Sequence, residues 1–313
     1  MKDLGKNTVS RHRIDEESVG QRIDNYLLKI LKGVPKSHVY RILRSGEIRV
    51  NRGRAKPDYR LKAGDELRLP PVRIAATAQR AKPPVSAALE RAVLFEDEIL
   101  LALDKPAGLA VHGGSGVSFG VIEQLRGQRP QARFLELVHR LDRDTSGVLL
   151  LAKKRSALTA LHADLRAGNV KKYYLALVKG RWRNAKQNVR LNLHKYLLAS
   201  GERRVAVNAA GQESHTVFEL EQSWREFSLL RAELKTGRTH QIRVHLAHLG
   251  FPVAGDAKYG DFDLNKALAR TSLKRMFLHA SRIEFRHPAT QTMLTLEAPL
   301  PGDLREFLAT LER

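Results

Sequence analysis

Residues 74–88, IAATAQRAKPPVSAA, carry neither helical nor strand periodicity and divide the chain in two. Such an Ala/Pro-rich stretch reads as a linker, narrowed here to 83–88, and each side must bury its own apolar residues. On the N-terminal side Ile23, Tyr26, Leu27, Ile30 and Leu31 recur at helical spacing until Gly33 and Pro35 interrupt them. Val39, Ile42 and Leu43 predict a second short helix with Ser37 as its N-cap. Ile48 to Asn51 predicts a strand entering a turn at Arg52–Gly53, and Leu67 to Leu69 a further strand. Met1 to Arg13 is polar and basic and is expected to be a disordered lead-in, so the small α/β unit is placed at 14–82.

On the C-terminal side, strands are predicted at 93–95, 99–103, 135–138, 148–152, 173–178, 227–234 and 293–296, and a helix at 157–165. Strand runs with few regular βα alternations predict an α+β domain over 89–313, built on a mainly antiparallel mixed sheet.

Charge narrows the class of partner. The 313 residues carry 55 Lys and Arg against 33 Asp and Glu, a net +22, and residues 1–86 hold twenty of those cations against nine acids. A field of that sign draws in polyanions. Lys36, Arg41 and Arg44 on the second helix, with Arg49, Arg52 and Arg54 after it, form a patch suited to phosphate contacts. The plainer reading is a solvated charged face. The chain has no cysteine, which excludes disulfides, thiolate metal sites and thiol nucleophiles. No apolar run reaches transmembrane length and no secretory core precedes Arg13, so no membrane partner and a cytoplasmic location are expected.

The densest chemistry lies in His139-Arg140-Leu141-Asp142-Arg143-Asp144-Thr145-Ser146-Gly147, between two apolar runs and hence on a loop between strands. An aspartate beside arginines has its charged form favoured and can serve as nucleophile or base. From spacing alone, a salt-bridged turn explains the same residues.

HRLDRDTSG resembles the signature of the RluA family of pseudouridine synthases, and FLELVHRLDRDTSGVLLLAKK is similar to its RluC branch, which modifies large-subunit (23S) ribosomal RNA. GQRIDNYL from Gly20, where residues 20–82 resemble an S-four type RNA-binding module, LDKPAGLAVHGGSG at 103–116 and TGRTHQIRVH at 236–245 extend the resemblance over nearly the whole chain. It implies an isomerase that extrudes a uridine from ribosomal RNA, breaks its C–N glycosidic bond, turns the uracil and joins it through carbon, without cofactor or metal. It also implies a monomer.

The family's catalytic aspartate falls on Asp142. Arg140 matches the arginine that replaces the flipped base, with His139 beside it in the motif. Tyr174 in KKYYLAL matches the tyrosine that stacks on the base and accepts a proton, with Tyr173 as the alternative. Arg243 in HQIR matches the cation paired with the aspartate, while Lys105, Pro106 and Leu278 match residues supporting the pocket. Whether the aspartate adds to the ring, adds to the sugar or removes a sugar proton stays open, as does the choice of uridine. Without the resemblance, Tyr174 reads as a sheet-core tyrosine and Arg243 as a charge on a surface strand.

Four other readings are weaker. A non-catalytic ribosome-assembly factor would not need Asp142, Arg140 and Arg243 together. The loop His112 to Gly116 fails an esterase elbow because Val117 stands where glycine is required. His240, His245 and His248 cluster, the last two at helical ligand spacing, but with no cysteine or HExxH context they read as polar-core or RNA-facing histidines. Asp142 and Asp144 have the spacing of a carboxylate pair for Mg²⁺, as in a nuclease, but two adjacent arginines oppose a dicationic centre.

Overall fold

The computed structural model describes residues 9–31, 33–72, 87–114 and 118–312. They fall into two compact units, within Met1–Lys82 and Pro83–Arg313. Residues 83–86 of the expected linker, and Ser115 and Gly116 of the glycine loop, lie outside the described residues.

The first unit is ordered as β1 (Ser10–Arg13), α1 (Ile23–Ile30), α2 (Lys36–Arg44), β2 (Arg49–Val50), β3 (Gly53–Arg54) and β4 (Glu66–Leu69), with sheet order β1-β4-β2-β3. Ile23, Leu27 and Leu31 meet Val39, Ile42 and Leu43 across the two helices and close over Val50, Leu67 and Leu69 of the sheet. Three expectations change here. Residues 10–13 are not a free lead-in but pair antiparallel with 66–69, because an unpaired edge of β4 finds backbone partners there. Ser37 is not an N-cap. The helix begins one residue earlier at Lys36, after Pro35, whose fixed φ suits the entry. The turn is Asn51–Arg52, both left-handed at φ 48° and 68°, with Val50 paired to Gly53. That two-residue geometry matches strand twist. Lys36, Arg41, Arg44, Arg49, Arg52 and Arg54 are all exposed, on the helix α2 and the hairpin β2–β3.

The second unit opens with α3 (Ala87–Arg91), which takes in the last two residues of the expected linker because Leu89 is fully buried against the core. Next come β5 (Val93–Glu96), β6 (Leu100–Lys105), α4 (Val121–Gln128), β7 (Glu136–Leu137), β8 (Ser146–Ala152), α5 (Arg155–Ala167) and β9 (Lys171–Lys179). After these lie β10 (Lys186–Leu197), β11 (Arg203–Val207), β12 (Gln212–Ser223), β13 (Phe227–Leu234), α6 (Gln241–His248), α7 (Phe262–Arg270), β14 (Leu278–Arg286), β15 (Met293–Glu297) and α8 (Gly302–Ala309). The sheet runs β11-β10-β12-β13-β9-β14-β8-β6-β5, with β15 on β14 and β7 on β8. This is an α+β unit whose pairings are antiparallel except at one place, where β14 runs parallel to β8 at His279–Ser146 and Ala280–Gly147.

That junction positions the chemistry. Every residue of β8 is buried. Leu149 and Leu151 enter one core with α4, while Val148, Leu150 and Ala152 enter another with α5. A strand covered on both faces reads as a continuous apolar run, and a one-residue slip would exchange the side chains that fill the two cores. The loop 138–145 is therefore held by a fixed strand at its C-terminal end. Gly147, the last residue of the motif, has φ 108°, and a Cβ there would stand 2.2 Å from the Ala280 carbonyl oxygen. The glycine serves strand packing beside the loop.

Candidate active site

Asp142 stands on the wall between two adjoining clefts. The first, of about 340 Å³, is lined by His139, Arg140, Lys172, Tyr174 and Leu278 together with the loop 237–243. The second, of about 300 Å³, is more polar and is lined by Ala110, His112, Arg143, Asp144 and Lys258. Arg140, Leu141, Asp142, His240 and Arg243 belong to both.

One oxygen of the carboxylate is committed. Asp142 Oδ2 accepts from Arg243 Nη1 at 2.9 Å, and His240 Nε2 lies 3.8 Å away. Oδ1 has no hydrogen bond among the described residues. Arg243 is itself fixed: Nε donates to Asp256 Oδ2 at 2.7 Å and Nη2 to Asp256 Oδ1 at 2.8 Å, with the Tyr259 ring centroid 5.1 Å from its Cζ. Both side chains are buried, so this two-pronged pair is far stronger in fixing geometry than a surface ion pair. Burial alone would lower the Arg243 pKa, but Asp256 and then Asp142 outweigh it and hold the guanidinium charged. Burial likewise pushes Asp256 up, and Arg243 with the Lys258 and Tyr259 amides brings it below the usual carboxylate range.

Arg243 lies on a helix, in the first turn of α6, and is not a surface strand charge. Residues 241–246 of that helix are all buried, Gln241 included. Gln241 donates to the His215 carbonyl and Thr216 Oγ1, and accepts from Thr236 Oγ1 and the Arg238 amide. Those four bonds shape the TGRTH loop that forms one side of the first cleft.

Strand pairing separates the two tyrosines. Alternation along β9 puts Lys172, Tyr174, Ala176 and Val178 on one face, with the last three in the main core. Tyr174 is buried to 7% exposure and lines the first cleft, and burial, then the nearby Asp142 charge, raises its hydroxyl pKa. Tyr173 faces the other way, its ring 4.5 Å from the Arg282 guanidinium.

The remaining expected residues divide. Leu278 and His139 line the first cleft; His139 Nε2 accepts the Leu150 amide at 3.1 Å, and burial lowers its pKa to about 4. The Arg140 guanidinium is exposed and makes no hydrogen bond or ion pair among the described residues. Lys105 and Pro106 line neither cleft. Lys105 is fully buried, with Nζ donating to the carbonyls of Pro106, Leu109 and Arg143 at 2.8, 2.8 and 3.0 Å. It ties the aspartate loop to the turn after β6, and burial lowers its pKa to about 7. Pro106 is exposed on that turn. Sequence reasoning missed Asp256, Tyr259 and Lys172, and took His240 only as a polar-core or RNA-facing histidine. A glycine-flanked GDAKYG stretch gives no cue to a buried acid, whereas His240 and Lys172 lie inside motifs that the sequence does single out.

The sequence profile of the RNA pseudouridylate synthases matches residues 99–248, and that of the S4 domain matches residues 21–67. The ribosomal large subunit pseudouridine synthase C of Pasteurella multocida is 54% identical over 304 residues, covering 95% of this chain and 92% of its own. This chain belongs to the RNA pseudouridylate synthase family. The protein of the same name from Escherichia coli (strain K12) is 53% identical over 303 residues, covering 95% of each chain. Among solved structures, human RNA pseudouridylate synthase domain containing 4 superposes with a TM-score of 0.58 at 26% identity, over 72% of this chain and 95% of its own. Its human domain containing 1 counterpart gives 0.56 at 24% identity over 66% and 82%, which bears on fold alone. As a pseudouridylate synthase, the chain is an isomerase of RNA uridine with an N-terminal S4 domain.

Proposed function

We propose that this chain converts specific uridines of large-subunit (23S) ribosomal RNA to pseudouridine, as a cytoplasmic monomer, with Asp142 as the reacting carboxylate. The observation that carries the reading is the asymmetry of that carboxylate: Oδ2 is held by Arg243 and Oδ1 has no hydrogen bond among the described residues, beside a cleft that Tyr174 and Leu278 also line. The relatives named ribosomal large subunit pseudouridine synthase C supply the RNA class.

An extruded uridine has a flat base with stackable faces and polar edges, and an anionic backbone. The first cleft, with Tyr174, Leu278 and Ile242, suits the base, which stacks on the tyrosine. Arg140 at the rim is uncommitted and suits the gap left in the RNA. Asp142 between the clefts then faces the glycosidic bond, where Oδ1 meets the base ring, the sugar carbon or a sugar proton. The C1′–N1 bond breaks, the uracil turns within the cleft, C1′ joins C5, and the C5 proton is replaced by one on N1. The exposed Lys36, Arg41, Arg44, Arg49, Arg52 and Arg54 suit the phosphates. Residues 14–82, with strand β1 added before them, and residues 89–313, with the start of α3 added, serve as binding and reacting domains.

Carbodiimide mapping of ribosomal RNA from cells lacking the protein tests this. Pseudouridine should vanish at defined large-subunit positions and return with wild type but not with Asp142→Asn. Restoration by Asp142→Asn would remove the carboxylate from the chemistry.

A further inference from the structure

His240 is the one described residue at the head of a helix in this unit with a left-handed backbone, φ 54° and ψ 19°. A Cβ-bearing residue rarely takes that conformation, and glycine or asparagine would take it more readily. The imidazole so placed lines both clefts and sits between two groups, the Asp142 carboxylate and the Tyr259 hydroxyl.

The hydrogen-bond partners favour one tautomer of the imidazole. Tyr259 Oη accepts the Val205 amide at 2.9 Å and lies 2.8 Å from His240 Nδ1. The hydroxyl has one proton of its own, and Nδ1 is the acceptor within reach. With that proton on Nδ1's lone pair, the ring hydrogen resides on Nε2, and it is Nε2 that stands 3.8 Å from Asp142 Oδ2. Burial lowers the imidazole pKa, opposed by the Asp142 charge. The Tyr259 ring is packed against two guanidiniums, with Arg243 Cζ 5.1 Å and Arg204 Cζ 5.9 Å from its centroid. Oδ2 therefore has an arginine at hydrogen-bond distance and a histidine N–H just beyond it. Both act on the same oxygen and leave Oδ1 to the substrate.

We propose that His240, held by Tyr259 as the Nε2–H tautomer, is a positioning residue for Asp142: a second donor to Oδ2 that orients Oδ1 toward the nucleotide. The inference rests on Asp142 being the reacting group. A small inward shift of the imidazole when RNA fills the cleft completes the hydrogen bond, as bonds in empty sites tighten on binding.

His240→Gly tests it, because the backbone there suits glycine and the fold should survive. With the full chain and a ribosomal RNA fragment, the single-turnover rate should fall about 10- to 100-fold, the scale on which a displaced reacting group loses rate. RNA affinity should hold. Free imidazole should restore part of the rate to His240→Gly and none to Asp142→Asn. Tyr259→Phe should lose rate without responding to imidazole. A wild-type rate in His240→Gly, a loss carried wholly by RNA affinity, or a loss that imidazole leaves untouched would each overturn the proposal. Asp142→Asn in the same series separates the two claims: full activity there defeats the reading of Asp142, while an inactive Asp142→Asn beside a normal His240→Gly defeats only the role of His240.

Discussion

Asp256 touches neither cleft, yet Asp256→Asn should cripple the enzyme through Arg243. The carboxylate accepts four N–H bonds: Oδ1 takes Arg243 Nη2 and the Lys258 and Tyr259 amides, and Oδ2 takes Arg243 Nε. An asparagine must keep its carbonyl at Oδ1, because three donors converge there. Its NH2 then faces Arg243 Nε, donor against donor. One charge-assisted bond is lost, worth roughly 1.5–3 kcal/mol, and a buried guanidinium is left short of countercharge, which brings the cost to about 3 kcal/mol. In a unit of this size that lowers Tm by roughly 6–12 °C. Because Arg243 also sets Asp142, the single-turnover rate should fall about 10- to 100-fold. Calorimetry with quenched single-turnover assays reads both. Asp142→Asn, at a side chain 20% exposed, should cost less stability while abolishing conversion. The double variant should lose more than the sum, since Arg243 then faces no carboxylate in contact. A Tm within about 2 °C of wild type together with an unchanged rate would refute the reasoning, whose scale comes from buried ion pairs in general.

Tyr174→Ala should weaken RNA-dependent turnover by roughly 1–3 kcal/mol, the worth of one base–aromatic stack; equal turnover numbers for Ala and wild type would remove the base from that face. Lys105→Met leaves the carbonyls of Pro106, Leu109 and Arg143 without their donor, so stability should drop by about 2 kcal/mol or more, with hydrogen exchange rising in the loop 138–145. His139 and His245 are held neutral by burial, with pKa lowered to about 4. A depressed folded pKa contributes stability that is present above the unfolded value of about 6.5 and lost as pH falls toward 4. Urea midpoints should therefore decline over that window, and a flat profile between pH 6.5 and 4 would contradict it. Replacing Arg41, Arg44 and Arg54 together by Gln should weaken RNA capture and reduce its salt slope by up to about 3, read by filter binding across a salt titration.

Much of this was legible in the sequence where one periodicity ruled. The run Val148 to Ala152 read as a strand, though its burial on both faces came only with the fold, and the two short helices of the first unit followed from their apolar spacing. The helix carrying Arg243 was not legible, because QIRVHL alternates polar and apolar residues as a strand does, and all six residues are buried in the fold. The motif supplied Asp142 and Arg243 as a pair. It could not supply Asp256, which joins them through a turn 13 residues on, since nothing local distinguishes an acid that a distant cation keeps charged. Lys105 sat in a matched motif, but its place beneath the loop depends on three carbonyls brought together only by folding.

The carbonyl clasp of Lys105 has a bearing on speed as well as shape. A segment already stapled from below and anchored at its strand end needs no ordering when the nucleic acid docks. The free energy of docking is then left for prying a nucleotide out of its stack, and the tempo of turnover should follow how readily a given RNA surrenders that nucleotide.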